Sequence, residues 1–248
     1  MISIITPTLN SQKTIYETIK SINKQNGVLI EHIIVDGFSN DSTIKIILRE
    51  KKKKTKIIYR KPNGIYDAMN AGIKKSKGKI VGILNSDDHY ASKLVLKKIC
   101  KIFDQNKDID ICYGNLRYFN KNKTFYRIWK PGKFKFNSFL KGWNPPHPTF
   151  FVRKKIYKKY GKFNLKYGNA ADIELMFRLL NIKKLKSYYL NSFLVNMRSG
   201  GASGKNIKSI IYQNLQILKI FRNHKVNFSI FLFIISKIKN RSLQFFDN

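Results

Sequence analysis

Gly78-Lys79-Ile80-Val81-Gly82-Ile83-Leu84-Asn85-Ser86-Asp87-Asp88 holds both ingredients of a ligand-binding α/β sheet. Ile80, Val81, Ile83 and Leu84 form a short apolar run entered through Gly78, the pattern of a strand buried on both faces. The run stops at Asn85, and the carboxylates of Asp87 and Asp88 follow at once. Acids just past the carboxyl end of a central strand lie where such sheets bind ligands. Oxygen donors there suit Mg²⁺ or Mn²⁺, held by one or two carboxylates while phosphate oxygens complete the shell. The alternative is that the pair caps a helix expected to begin near Ser92.

Upstream, the same grammar repeats. Ile2 to Thr6 reads as a buried strand broken by Pro7. Asn10 or Ser11 can cap the next helix, Thr14 and Glu17 have capping-box spacing, and Ile15, Ile19 and Ile22 mark its buried face. A second strand, Ile33 to Asp36, runs into Gly37-Phe38-Ser39-Asn40-Asp41-Ser42. Asp36 can accept from a nucleobase imide or a ribose hydroxyl, or can bond its own turn. A third strand, Ile57 to Tyr59, leads through Lys61-Pro62-Asn63-Gly64 into a helix over Ile65 to Lys74, with Asp67 and Asn70 on one face. With a helix over Ser92 to Gln105, its apolar face set by Leu94, Val95, Ile99, Ile102 and Phe103, this half reads as a doubly wound, mostly parallel sheet. The glycine fingerprint of a dinucleotide fold and the Walker A lysine loop are both missing, which disfavours an NAD enzyme and a P-loop protein.

Downstream the texture changes. Strands are expected at Ile109 to Tyr113 and Phe125 to Trp129, around a polar turn at Asn120 to Lys123. Trp143-Asn144-Pro145-Pro146-His147-Pro148 stiffens the backbone around His147, which can line a cleft or simply pack. Ile173, Met176, Phe177 and Leu180 recur at helical spacing, placing Asp172 at or just before a helix start, as a general base facing a cleft or as an N-cap. Glu174 points elsewhere around that helix. A late strand, Leu194 to Met197, precedes Arg198-Ser199-Gly200-Gly201-Ala202-Ser203-Gly204, which can fold over a diphosphate or act as a hinge. The tail from Ile207 is amphipathic. Phe228 to Ile235, with Lys237, Lys239 and Arg241, has the makeup of an interfacial helix on an anionic bilayer or of a packed helix pair.

A formal net charge of +35 raises nucleic acid as a partner. The lysines are spread over helices, loops and termini, and the densest run, Lys51 to Lys54, falls in an expected turn. Carboxylates at successive strand ends would also repel phosphate unless a cation intervenes, so no nucleic-acid partner is expected. Cys100 and Cys112 lack metal-ligand spacing and read as reduced thiols. No signal peptide or membrane-spanning segment is expected.

In sequence order, Ile5-Thr6-Pro7-Thr8-Leu9-Asn10, then Val35-Asp36-Gly37-Phe38-Ser39-Asn40-Asp41-Ser42-Thr43, then Gly64-Ile65-Tyr66-Asp67-Ala68-Met69-Asn70-Ala71-Gly72, then Asn85-Ser86-Asp87-Asp88 resemble the motifs of glycosyltransferase family 2. His147-Pro148-Thr149-Phe150-Phe151, Ala170-Ala171-Asp172 and Gly200-Gly201-Ala202-Ser203 continue the series. The resemblance covers Ile2 to about Ser203 and is to the branch acting on bacterial surface polysaccharides. It implies a GT-A fold and an inverting transfer from a UDP- or GDP-sugar to a hydroxyl of a glycan acceptor, presented on a lipid at the cytoplasmic face of the inner membrane. By the same resemblance Asp172 is the catalytic base. Thr6, Pro7, Thr8, Asn10, Asp36, Ser39, Asp67, Asn70, Asn85, Ser86 and Asp87 contact the donor, and Asp87 with Asp88 holds Mn²⁺ or Mg²⁺. His147, Arg198, Gly200, Gly201 and Ser203 belong to the acceptor and diphosphate side. Asn85 departs from the family's usual Asp-x-Asp by offering a neutral oxygen. The expected organisation is a nucleotide-sugar-binding half (1–105), an acceptor-binding half (106–205) and a helical tail (206–248), with an anionic membrane surface as a further partner. A basic nucleic-acid-binding protein and a nucleotidyltransferase are the competing readings.

Overall fold

The computed structural model describes residues 1–120, 122–199 and 207–245. Three strands, β1 (Ile2–Thr8), β2 (Ile30–Asp36) and β3 (Thr55–Tyr59), alternate with α1 (Ile15–Asn23), α2 (Thr43–Glu50) and α3 (Ile65–Lys75), and β4 (Ile80–Ile83) follows. These four strands are parallel, in the order β3-β2-β1-β4. Period-two alternation explains why both faces are buried: Ile5, Ile33 and Val35 join one core, Ile2 and Ile4 the other. Pro7 does not break β1. It stands opposite Val35, whereas β4 has stopped pairing at Ile83, so the missing N–H costs no ladder bond. Gly72 lets α3 sit down on β1, since a Cβ there would come within 2.4 Å of Ile5.

The second half extends the sheet with mixed polarity. After β5 (His89–Tyr90) and α4 (Val95–Gln105) come β6 (Ile111–Phe119), β7 (Phe125–Trp129), β8 (Phe151–Arg153) and β9 (Ser187–Arg198). The order beyond β4 is β8-β6-β9-β5, with β7 paired to β6. β9 is far longer than the expected Leu194 to Met197, because its first half is only partly buried and shows no clean alternation. α5 (Lys154–Tyr160) was not legible in its run of lysines and tyrosines. α6 (Ala171–Phe177) continues as a π-turn through Ile182.

The expected capping at α1 and α4 is corrected. Thr14 precedes α1 without a side-chain cap, and α4 starts only after Leu94, so Asp87 and Asp88 cap nothing. Two helices close the chain, α7 (Ile207–Asn223) and α8 (Ile230–Leu243). Ile217, Ile220, Phe221 and Phe233 are each no more than 2% exposed and belong to the same apolar cluster as Ile5 and Val81. The tail is therefore built into the core. Its outer face stays apolar and exposed, with Phe231 75% and Ile238 63% accessible.

Candidate active site

Most of the first-half residues expected at the donor lie at the carboxyl edge of the parallel strands. Asp36, fully buried at the end of β2, accepts from the Ser39 N–H at 2.8 Å and the Ser39 hydroxyl at 2.6 Å. Ser39 Oγ also accepts from the Asn10 N–H at 2.9 Å, and Asn10 Oδ1 accepts from the Asn40 N–H. The Ser11 N–H donates to Thr43 Oγ1, and the Ser11 hydroxyl meets that of Ser86 at 2.8 Å. One hydrogen-bonded lattice thus ties the loops after β1, β2 and β4 together, from Asp36 to the neighbour of Asp87. Thr6, expected at the donor, points away: its hydroxyl is fully buried against His32 Nε2 at 3.0 Å.

Beside this lattice lies a cavity of about 470 Å³ lined by Arg60, Lys61, Pro62, Asn63 and Asp67. Arg60 follows β3 directly and grips Asp67 bidentately, Nε to Oδ2 at 2.5 Å and Nη2 to Oδ1 at 2.8 Å. Exposed Phe38 and Tyr59, 6.0 Å between ring centroids, stand near its rim in sequence. Asn70 is a correction. Its amide donates to Phe163 O at 2.9 Å and accepts from Phe163 N–H at 3.0 Å, so it clasps the two halves of the chain rather than facing a donor.

Asp87 and Asp88 behave differently. Asp88 is 1% exposed, and its oxygens accept from the Arg198 N–H and from Asn85 Nδ2, both at 3.1 Å. Asp87 is partly exposed. Burial pushes its carboxyl above the ordinary range, and the charge of Arg198 pulls it back. Burial, reinforced by Asp87, raises Asp88 further. Asn85 Oδ1 is buried with no hydrogen-bond partner. A carboxylate on the cleft, a second behind it and an orphaned amide oxygen fit a hard cation better than they fit empty space. Among the described residues no group of three or more His, Cys, Asp or Glu side chains converges, so substrate oxygens would have to supply much of the shell.

Asp172, expected as the base, is the second residue of α6, and its Oδ1 accepts from the Ile173 N–H at 2.8 Å. The Tyr66 ring packs 5.3 Å from that of Phe163, and its phenol lies in the field of Asp172. Burial first, and then that carboxylate, holds the phenol protonated far above its usual range. His147, buried in the proline bend, stacks edge-on against Phe163 at 5.3 Å. Burial lowers its pKa, while the charge of Asp172 opposes that shift. Glu174 is not available as a second base. It pairs with Arg178 at 2.8 Å and His224 at 3.3 Å, pinning α6 to α7. Arg60 and Tyr66 were not singled out as site residues by sequence. Arg60 carries the same signal as the acids, a charged residue immediately after a strand. Gly200, Gly201 and Ser203 lie outside the described residues.

A family model for glycosyl transferase family 2 matches residues 3–162. The chain belongs to glycosyl transferase family 2. Among curated relatives, a PGL/p-HBAD biosynthesis glycosyltransferase of Mycobacterium bovis is 28% identical over 84% of this chain and 80% of its own length. An uncharacterised glycosyltransferase of Methanocaldococcus jannaschii is 28% identical over 80% of this chain and 70% of its own length. Among solved structures, a Pyrobaculum calidifontis mannosyltransferase in complex with GDP-Man and Mn²⁺ superposes with a TM-score of 0.67 at 15% identity, over 98% of this chain and 69% of that one. S. aureus TarS in complex with UDP gives 0.64 at 20% identity, over 91% and 67%. The fold is GT-A, and the activity is glycosyl transfer. Of the readings the sequence left open, this selects the glycosyltransferase over the nucleic-acid-binding protein and the nucleotidyltransferase.

Proposed function

We propose that this family 2 glycosyltransferase is an inverting, metal-dependent enzyme of bacterial surface-polysaccharide synthesis, moving a sugar from a UDP- or GDP-sugar to a hydroxyl of a lipid-linked glycan. The observation that supports the reading most is the orphaned amide oxygen of Asn85 two residues before an Asp87 that lies in the field of Arg198, with Tyr66 in the field of Asp172. Asp172 takes the proton of the acceptor hydroxyl as it attacks the anomeric carbon. Tyr66 keeps that carboxylate oriented. A single base opposite the leaving group produces inversion, with no carboxylate needed as nucleophile.

On the leaving side, Arg198 neutralises part of the diphosphate charge, and Asp87 with Asn85 Oδ1 would hold Mn²⁺ or Mg²⁺. That ion would supply Lewis-acid stabilisation of the departing diphosphate. Asp88 props Asn85 and the Arg198 backbone rather than reaching the cleft. The nucleoside would occupy the cavity beside Arg60 and Asp67. Support for the nucleotide comes from neighbours solved with UDP, UDP-GlcNAc and GDP-Man. No described helix is long and apolar enough to cross a membrane. The exposed stripe of α8 and its basic flanks support peripheral attachment at the cytoplasmic face of the inner membrane.

The test is a thermal-shift titration of UDP, GDP and their sugars with and without Mn²⁺. True ligands raise the melting temperature by mass action. A rise confined to one nucleotide and dependent on metal is expected. Transfer activity that survives EDTA would sink the metal assignment.

A further inference from the structure

The turn Asn85-Ser86-Asp87-Asp88 carries the groups assigned to the leaving side, and α1 braces it from behind. Thr18, in the middle of that helix, is fully buried. Its hydroxyl donates to Asp88 O at 2.8 Å and lies 3.4 Å from Asn85 O. The Asp88 N–H returns to the same Asn85 carbonyl at 3.2 Å, so one hydroxyl ties both ends of the turn to the helix. Ser11 holds Ser86 at 2.8 Å, while Asp88 accepts from Asn85 Nδ2 and from the Arg198 N–H. The seam continues away from the turn. Ser21 Oγ accepts from the Tyr90 N–H at 3.2 Å, and Gln25, just past the end of α1, donates to Ser92 O at 2.7 Å and accepts from the Leu96 N–H at 3.0 Å.

What this bracing leaves unmade matters as much as what it makes. The carbonyl and the Nδ2 of Asn85 are both engaged, yet its Oδ1 is buried without a partner. An orphaned buried acceptor is costly, and a turn free to relax would swing it onto a donor or into water. A turn tied at both ends cannot. Helical threonines commonly donate to a carbonyl one turn back in their own helix. Thr18 donates across to the turn instead, and so holds the unpaired oxygen two residues from the partly exposed Asp87.

We propose that Thr18 is a positioning residue for the cation: its hydroxyl keeps the 85–88 turn in the geometry that offers Asn85 Oδ1 and the Asp87 carboxylate to the metal. The proposal rests on the metal reading above and extends it to a residue that touches neither metal nor nucleotide. The readout is the metal increment, the ratio of UDP or GDP affinity in Mn²⁺ to that in EDTA, measured calorimetrically on the full chain. Thr18→Val removes the hydroxyl and keeps the shape. It should cut the increment about tenfold, the worth of one hydrogen bond, while binding in EDTA stays within about twofold. Thr18→Ser, which restores the donor, should recover the increment to within about threefold. Gln25→Leu cuts the same seam away from the turn, so it should lower the melting temperature and leave the increment intact. A wild-type increment in Thr18→Val, or equal losses in Mn²⁺ and EDTA, overturns the positioning role. So does a Gln25→Leu that loses as much of the increment as Thr18→Val. Should Thr18→Val not fold, Thr18→Cys, whose thiol is a weak donor, replaces it, and an unchanged increment there is equally fatal. A wild type that ignores both nucleotides, or binds them equally in Mn²⁺ and EDTA, sinks the metal reading and this role with it. An increment lost in Asp87→Ala but kept in Thr18→Val sinks this role alone.

Discussion

The two sides of the proposed site, donor and acceptor, are built in opposite ways. The donor side is made of loops that each follow a parallel strand within one hundred residues, laced by short hydrogen bonds from Asp36 through Ser39 and Asn10, and from Thr43 through Ser11 to Ser86. On the proposed acceptor side, Tyr66, His147 and Asp172 come from three remote segments: the first two both pack on Phe163, and α6, α7 and α8 share one core around them. The contrast suggests that substitutions on the donor side should alter affinity, whereas those on the acceptor side should alter turnover.

Asp172→Asn tests that contrast hardest. It should reduce kcat about 1,000-fold, within the range of general-base catalysis, while donor affinity stays within a few fold. Equal losses of turnover and donor binding would move Asp172 to the donor side. Next, Asp87→Ala should weaken nucleotide-sugar binding by about 100-fold in Mn²⁺ and little in its absence, as equilibrium binding would show. Arg60→Ala is expected to raise the donor KM about tenfold with a smaller loss of kcat, since it unpairs Asp67, the peptide neighbour of Tyr66.

The smallest effect concerns stability. Burial lowers His32 to about 3, against 6.5 in an unfolded chain. The folded state therefore keeps it neutral while the unfolded state takes up a proton as pH falls below 6.5. The stability is fully present above that pH and is lost progressively toward pH 3. Between pH 6.5 and 5 the loss should be about 2 kcal/mol, measurable by urea unfolding and flattened in His32→Gln.

The same contrast decides what could be read without coordinates. β1, β2 and β4 and their trailing acids were legible because a buried strand and the residue after it are a local pattern. The place of Asp172 at a helix start was legible from the apolar spacing that follows it. Partners were not. Asn70 has the right helix face for a donor contact, but face gives direction, and its direction leads to the backbone of Phe163, far along the chain. The packing of α8 was equally out of reach: the approach of Lys237 to Gly142 and its bond to Asn214 join segments about one hundred residues and about twenty residues away.

Tyr66 and Asp67 are peptide neighbours on the first turn of α3, one in the field of Asp172 and the other locked to Arg60. A nucleotide that competes for the guanidinium would loosen the second and, through a single peptide linkage, reset the first. The expected kinetic signature is compulsory sequence, with donor entering before acceptor, visible as competitive product inhibition by the free nucleotide against donor alone. Random entry would show that the two chambers work without hearing each other.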